Sequence, residues 1–413
     1  MIGRWGWIVR RITRRIWFRA GLFSLLGVVT ALLGTWASPF IPLNISTKIG
    51  SDAVDNILGI LASSMLTVTT FSLSTMVSAY SAATSNVTPR ANVLIMEDST
   101  TQNVLSTFIG TFLFSLVGII ALSTGTYGER GRAILFGVTI LVIVFIIVTL
   151  LRWIDHLSRL GRVTETTQRV EEAALSAIRE RRRRPHLGAR PLLDRTKDVP
   201  ESANRLAPTA IGYVQHIDVE ALSELATKAN ARVFVLRLPG ELADPTQPIA
   251  AVNGGSIDEA ALRDCFTIGD RRSFDQDPRF GICVLTEVGS RALSPATNDL
   301  GTAVDVISRL LRVLAAWVEP ADEITDEIDN VFVPPLRADD LFDDAFLAMA
   351  RDGATVVEVG TRLQKALLTL SRLGNPDYVE AARRHSREAL ARAELALTFE
   401  ADKDRLRALS AHV

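Results

Sequence analysis

Four stretches of the chain stay apolar for the length of a membrane crossing, and the remainder alternates with the shorter periods of a folded polar unit. The apolar runs are Ile16–Trp36, Ile57–Ser85, about Val104–Thr124, and Ala133–Leu151. Each is near the ~20 apolar residues that a helix needs to span about 30 Å of hydrocarbon. The second run differs from the others. It carries no charged side chain, yet Ser63, Thr67, Thr70, Ser74, Ser78, Ser81 and Ser85 recur at steps of three or four. On a helix that spacing gathers them into one stripe about 80° wide, and the stripe continues back through Gly59 and Asn56 to Asp52. From Ser63 to Ser85 it extends about 33 Å at ~1.5 Å per residue, enough to cross a bilayer.

Two physical roles fit such a stripe. Small hydroxylated residues let helix backbones approach closely and hydrogen-bond across the contact. The same residues can instead line a water-filled path, with Asp52 and Asn56 at one mouth. Ser64, Thr69, Ser72, Thr75 and Thr84 lie off the stripe, so this helix is rich in hydroxyls generally.

Small residues also mark the first and third runs. Ala20, Ser24, Gly27, Ala31 and Gly34 form a helical ridge, and Thr107, Thr111 and Ser115 recur beside Gly110 and Gly118. Both patterns predict close helix packing. The fourth run is almost purely Ile, Leu, Val and Phe, which predicts the most lipid-exposed helix. Arginines precede the first run and follow the fourth at Arg152, Arg159 and Arg162, while the intervening loops carry Lys48, Arg130 and Arg132. The positive-inside rule then places both termini in the cytoplasm.

Beyond residue 160 the period changes. Gly161–Ile178 predicts a polar amphipathic helix, followed by a loop containing Arg181, Arg182, Arg183 and Arg184. That run is a solvated tether or a contact for anionic lipid; with no interleaved aromatics it does not point to nucleic acid. Strands are predicted at Ala210–His216, Arg232–Leu238, Pro248–Val252 and Cys265–Ile268, with helices at Asp218–Ala229 and Asp258–Arg263 between them. Helices follow at about Pro278–Leu293 and Leu300–Val318, then at Asp344–Arg351, Thr355–Leu373 and Pro376–Leu397. The expected organisation is a four-helix transmembrane domain (1–160), a basic helical linker (161–208), a small α+β domain (209–270) and a helical cytoplasmic domain (271–413).

Composition sharpens this only in part. The 413 residues carry a net charge of −1 and are 48% hydrophobic, which fits a membrane part joined to soluble domains. Cys265 and Cys283 are the two cysteines. They form no disulfide framework or metal motif, and a reducing compartment suits them. The histidines are scattered, and no nucleophile elbow, phosphate-cradling loop or dinucleotide fingerprint occurs, so the sequence predicts no enzyme and no cofactor. One polar cluster stands out: Arg271, Arg272 and Asp277 precede a helix, and Ser294, Asn298 and Asp299 follow it. It is either a helix-turn-helix corner, with arginines paired to aspartates and Thr297 or Asn298 capping the next helix, or a site for a small anion or regulatory ligand around Arg272, Ser294 and Asn298.

Phe71-Ser72-Leu73-Ser74 leading to Thr88-Pro89-Arg90, with Phe108–Leu116, resembles the membrane half of the bacterial domain-of-unknown-function 2254 family. Arg271-Arg272, Gln276-Asp277, Phe280-Gly281 and Ala292-Leu293-Ser294-Pro295-Ala296-Thr297-Asn298-Asp299 resemble its cytoplasmic signature. Leu300 stands where the family usually has proline, and Glu287-Val288-Gly289 where it usually has Asp-Ile-Ala. The resemblance implies an integral membrane protein with a cytoplasmic domain and supplies no activity; the expected location is the bacterial inner (plasma) membrane. From the residues, the expected function is a homo-oligomeric ion channel or pore lined by the second helix and regulated by the cytoplasmic part. The alternative is a membrane-anchored sensor or scaffold.

Overall fold

The computed structural model describes residues 13, 16–36, 51–96, 98–125, 129–159, 161–319 and 328–413. The arginines before residue 13, together with Pro39, Pro42 and Lys48, lie outside the described residues. The described chain divides into two compact units, one ending at residue 165 and one comprising residues 166–413.

The first unit is built from helices α1 (Ile16–Trp36), α2 (Ser51–Asn86), a short α3 (Asn92–Met96), α4 (Ser99–Ser123) and α5 (Glu129–Arg159). Among the described residues, three stretches are long and apolar enough to cross a membrane: Ala53–Ala82, Ser99–Ser123 and Gly131–Arg159; helix α1 contributes the shorter apolar stretch Phe18–Thr30. Burial ranks them. The α4 window is 61% buried, against 22% for α2 and 17% for α5, so α4 is the central helix and α5 the most exposed. The small residues explain why α4 can be central. A Cβ added to Gly27 would lie 2.6 Å from the Gly110 carbonyl oxygen, and one added to Gly110 would lie 2.9 Å from that of Phe23, so α1 and α4 meet backbone to backbone. Thr107, Thr111 and Ser115 are buried on α4 as their spacing predicts. Behind them Met65, Val104, Phe108, Ile146 and Trp153 form an apolar core that links α2, α4 and α5.

Helix α6 (Val163–Arg183) begins at the end of the first unit and lies mostly in the second. This helix runs through the arginines that the sequence assigns to a loop. The strands are β1 (Ala189–Pro191), β2 (Asn204–Leu206), β3 (Gly212–Ile217), β4 (Ala231–Val235), β5 (Leu242–Ala243), β6 (Ala250–Gly254), β7 (Phe266–Gly269) and β8 (Ile328–Val333). They make one sheet of order β1-β8-β4-β6-β2 and a smaller one of order β5-β3-β7. In the larger sheet β8 pairs parallel with β1 and β4, whereas β6 pairs antiparallel with β4 and β2. The expected boundaries at 208 and 271 therefore do not hold: β1 and β2 lie in the supposed linker and β8 in the supposed helical domain, yet all three join one sheet.

Helix α7 (Val219–Ala229) is capped as expected by Asp218, which accepts from the Ala221 amide, and ends at Asn230 in the left-handed conformation. Helix α8 spans Glu259–Asp264. The helical layer comprises α9 (Pro278–Ala292), α10 (Leu300–Val318), α11 (Ala338–Asp352), α12 (Val357–Ser371), α13 (Pro376–Ala396) and α14 (Glu400–Ser410), the last not anticipated from the sequence. In its core Phe342 meets Phe346 and Tyr378 edge to face. Gly281 of α9 faces α6 so closely that an added Cβ would come 2.5 Å from that of Ala174.

Candidate functional site

The stripe on α2 is the first candidate, and its placement follows from what the bundle buries. Asn56, Gly59, Ser63, Thr67, Thr70, Ser74, Ser78 and Ser81 are all exposed, whereas Val54, Leu58, Ala62, Met65, Ser72 and Met76 turn inward. Asp52 and Ser85 lie within α2, but their side chains fall outside the described residues. Exposed Ile60, Leu66, Phe71, Leu73 and Val77 flank the stripe. Within one chain, then, the bundle does not use this face for packing.

Each hydroxyl in the middle of the stripe donates back to its own helix. Ser63 Oγ donates to the Gly59 carbonyl at 3.1 Å, Thr67 to that of Ser63 at 2.9 Å, Thr70 to that of Leu66 at 3.1 Å and Ser74 to that of Thr70 at 3.0 Å. With the proton spent in this way, the lone pairs of each oxygen face outward. The face is a row of acceptors. Ser72, off the stripe, has a different role: it accepts a hydrogen bond from the Trp153 indole at 2.9 Å inside the bundle.

One cluster in this unit escaped the sequence reading. His156 Nε2 lies 2.9 Å from Asp98 Oδ2, and the Thr101 hydroxyl donates to that same carboxylate oxygen at 2.5 Å. The Trp153 ring stacks on His156 with centroids 5.7 Å apart. Asp98 also caps α4 by accepting from the Thr101 amide. Asp98 and His156 are distant in sequence, and no spacing signal joins them.

The second candidate is a cleft of about 1150 Å³ in the second unit, between the strand region and α11. Guanidinium groups and carboxylates line it. At its floor Arg272 makes a fork to Asp277, with Nε 2.7 Å from Oδ2 and an η-nitrogen 3.0 Å from Oδ1. Asp277 is only 2% exposed and also caps α9, accepting from the amides of Arg279 and Phe280. Burial drives the Asp277 carboxyl upward from its ordinary value, and the Arg272 bonds and charge oppose the shift. Burial also works against the Arg272 charge, but the Asp277 bonds outweigh it and hold the guanidinium more basic than usual. Gly240 seals the pair from the other side. It has φ +94, and a Cβ there would sit 2.1 Å from Asp277 Oδ2, so only glycine fits. The nearby Cys283 thiol accepts from Arg272 at 3.4 Å and is pushed up to about 11, chiefly by burial.

The arginine run behaves unlike a free basic patch. Arg181 is buried and donates to the Gln276 carbonyl at 2.9 Å. Arg182 donates to the Ala316 carbonyl at 3.1 Å, and Arg184 lies 3.3 Å from Glu220. Arg183 alone of the four is exposed. The fold absorbs most of the charge assigned to a lipid contact, because α6 continues through it.

The polar cluster expected around Arg272, Ser294 and Asn298 separates in the structure. Arg271, Arg272 and Asp277 stand at the N-terminal end of α9, while Ser294, Asn298 and Asp299 lie beyond its C-terminal end. Fifteen helical residues at ~1.5 Å each put about 22 Å between the two groups. The second group forms a turn instead: the amides of Thr297 and Asn298 donate to the Ser294 carbonyl and that of Asp299 to the Ala292 carbonyl. Asn298 adopts φ 47 there. Asp299, not Thr297 or Asn298, caps α10, accepting from the Thr302 amide at 3.0 Å. Arg272 pairs with Asp277, whereas exposed Arg271 lies 3.7 Å from Asp270. Among the described residues, no group of three or more His, Cys, Asp or Glu side chains is placed to hold a metal ion.

The comparisons with known proteins agree with the membrane character. A family profile described as "Predicted membrane protein (DUF2254)" matches residues 13–369. The uncharacterized protein Mb1321c of Mycobacterium bovis is 26% identical over 286 residues, covering 64% of this chain and 53% of that protein. The uncharacterized protein Rv1290c of Mycobacterium tuberculosis matches with the same identity and coverage. The chain thus spans about half the length of these curated relatives. No solved structure matches.

Proposed function

Because the chain belongs to the DUF2254 family of predicted membrane proteins, we propose that it acts in the bilayer as a homo-oligomeric conduit. In this reading the stripe of α2 lines the path and the second unit regulates it. One observation supports the proposal: the stripe members from Asn56 to Ser81 all face outward from the bundle, while Gly27 of α1 and Thr107, Gly110, Thr111 and Ser115 of α4 pack within it. A row of polar groups across a membrane needs a wet or polar neighbour, and a second copy of the same face supplies one by symmetry.

The finer topology belongs to the same proposal. Helix α1 has 21 residues, about 31 Å at ~1.5 Å each, and serves as a fourth crossing. Arg19 and Arg90 on one side, with Arg152, Arg159 and Arg162 after α5, put both termini in the cytoplasm of a bacterial inner membrane by the positive-inside rule. The outward lone pairs of the stripe, together with Asp52 and Asp55 near one mouth, favour cations over anions.

Reconstitution of the purified protein into vesicles tests the proposal. Cation flux is expected in the wild type, and Thr70→Leu with Ser74→Leu should abolish it while assembly is retained. Absence of flux, or flux unaltered by those substitutions, would leave a membrane-anchored sensor or scaffold. The arginine-lined cleft is the observation that favours that second reading.

A further inference from the structure

The cleft of the second unit has chemistry that the conduit reading does not use. Its floor holds a guanidinium with spare capacity. Arg181 is 4% exposed and reaches the cleft, yet it makes one hydrogen bond, to the Gln276 carbonyl. Among the described residues no carboxylate lies within ion-pair distance of it; Asp277 acts only at longer range and is already forked by Arg272. Burial without a close counter-ion lowers the Arg181 pKa to about 10. A buried guanidinium with five donors and one acceptor calls for an anion.

The walls narrow the chemistry of that anion. On the wall Arg195 forks onto Glu241 at 2.8 and 3.1 Å and Arg237 approaches the same carboxylate at 3.7 Å; Asp194 and Asp244 line this wall too, so Arg181 is the cleft guanidinium that lacks a close carboxylate. Opposite, Asp339 and Asp340 are half exposed and turn toward the cleft on α11. Asp340 lies 3.3 Å from Arg279, and Asp339 3.5 Å from Arg337 and 3.3 Å from Arg384; the remaining lone pairs of these part-exposed carboxylates can accept from hydroxyl groups. No aromatic side chain lines the space, so a nucleobase would find no ring to stack on. The volume admits a molecule several times larger than phosphate.

We propose that this cleft binds a small phosphorylated polyol, its phosphate on Arg181 with support from Arg195, and its hydroxyls on the aspartates of α11. The same chemistry is found in a free sugar phosphate and in a polyol phospholipid headgroup.

Isothermal titration on the full-length protein in detergent tests this with glucose 6-phosphate, phosphatidylglycerol in mixed micelles, inorganic phosphate and glucose as separate probes. The expected result is saturable binding of the sugar phosphate or of the lipid, at least about tenfold tighter than inorganic phosphate, a difference of ~1.4 kcal/mol, and no binding of glucose. Whichever ester binds identifies the source. Arg181→Gln should weaken that binding at least tenfold, and Arg195→Gln, at the partly exposed wall, severalfold without altering thermal stability. Hydrogen exchange provides a readout that needs no variant: the bound ester should protect the amides around Arg181 and Gln276. Absence of saturable binding by both esters, binding no tighter than inorganic phosphate, or binding without protection at that floor would overturn the proposal. None of these outcomes depends on whether the membrane unit conducts.

Discussion

Replacing Gly27 by alanine should weaken the membrane bundle, and the structure sets the size of the effect. The new Cβ would lie 2.6 Å from the Gly110 carbonyl oxygen and 3.5 Å from Phe114 Cβ. The first neighbour is backbone within a helix and cannot swing aside. Restoring an ordinary contact near 3.4 Å moves α1 away from α4 by about 0.8 Å, and a gap of 0.5–1 Å forfeits a quarter to a half of each dispersion well. Over roughly 20 atom pairs at ~0.1–0.2 kcal/mol each, that is about 0.5–2 kcal/mol, within the 1–3 kcal/mol typical of overpacked sites.

Gly21 on the same helix provides the control. An added Cβ there meets nothing within 4 Å, so Gly21→Ala should be neutral or stabilise by up to about 1 kcal/mol through helix propensity. Unfolding in mixed micelles, followed by tryptophan fluorescence, compares the two variants directly. A Gly27→Ala bundle as stable as the Gly21→Ala bundle would refute the backbone contact between α1 and α4.

Other perturbations probe single interactions. Glu171 is buried and accepts from Arg309 at 2.6 Å and from Arg312 at 2.5 and 3.0 Å, while Arg309 also holds Asp305 at 2.6 Å; Glu171→Met should therefore destabilise the second unit by about 1.5–3 kcal/mol, the loss of charged hydrogen bonds with one counter-ion kept, and thermal unfolding of the double variant with Arg309→Met should recover part of it. Ser72→Ala leaves the buried Trp153 indole N–H without its acceptor and should cost about 1–3 kcal/mol, visible as a lower unfolding midpoint together with a shifted Trp153 emission. Burial holds His385 and His216 below the ordinary value of 6.5; on His385 Arg384 adds to the effect while Asp343 and Glu388 oppose it, and on His216 Asp218, Asp275 and Gln276 oppose it. Both residues bind protons more readily when unfolded, so their stabilisation is complete above pH 6.5 and is lost as pH falls through and below that value. Denaturation of a His385→Gln, His216→Gln variant should show a flatter acid limb than the wild type.

Much of the membrane unit was legible because bilayer chemistry leaves few solutions for an apolar run. Spacing alone placed Gly110, Thr107, Thr111 and Ser115 in contact and gave α5 the exposed role, since small residues mark close backbones and an all-aliphatic run has no polar partner to seek. In the second unit the local elements were legible for the same reason that Asp218 and Pro278 were: caps and prolines act within a turn. What could not be read was long-range. Strand β8 reaches β4 across nearly a hundred residues, and β1 is a three-residue strand in an arginine-rich stretch, so neither carries an alternation long enough to see. The site reading failed at a helix length. Arg272 and Asn298 look adjacent as polar punctuation, but the straight helix between them keeps the two ends apart. In sequence Arg181 reads with its neighbours as a tether or a lipid contact, and its place in the cleft is not legible, because a run of like charges resembles a solvated face until the fold buries one member.

The most direct test of the central claim is the water accessibility of the α2 face in the assembled protein. Cysteines placed at Thr70 and Ser74, in a background lacking Cys265 and Cys283, can be challenged in vesicles with a membrane-impermeant thiol reagent, with Leu141→Cys on the exposed aliphatic face of α5 as reference. A water-lined path predicts that both stripe positions react much faster than the reference. Reaction no faster than at Leu141→Cys would mean that the hydroxyl row faces acyl chains or a closed helix contact, and the conduit would be ruled out.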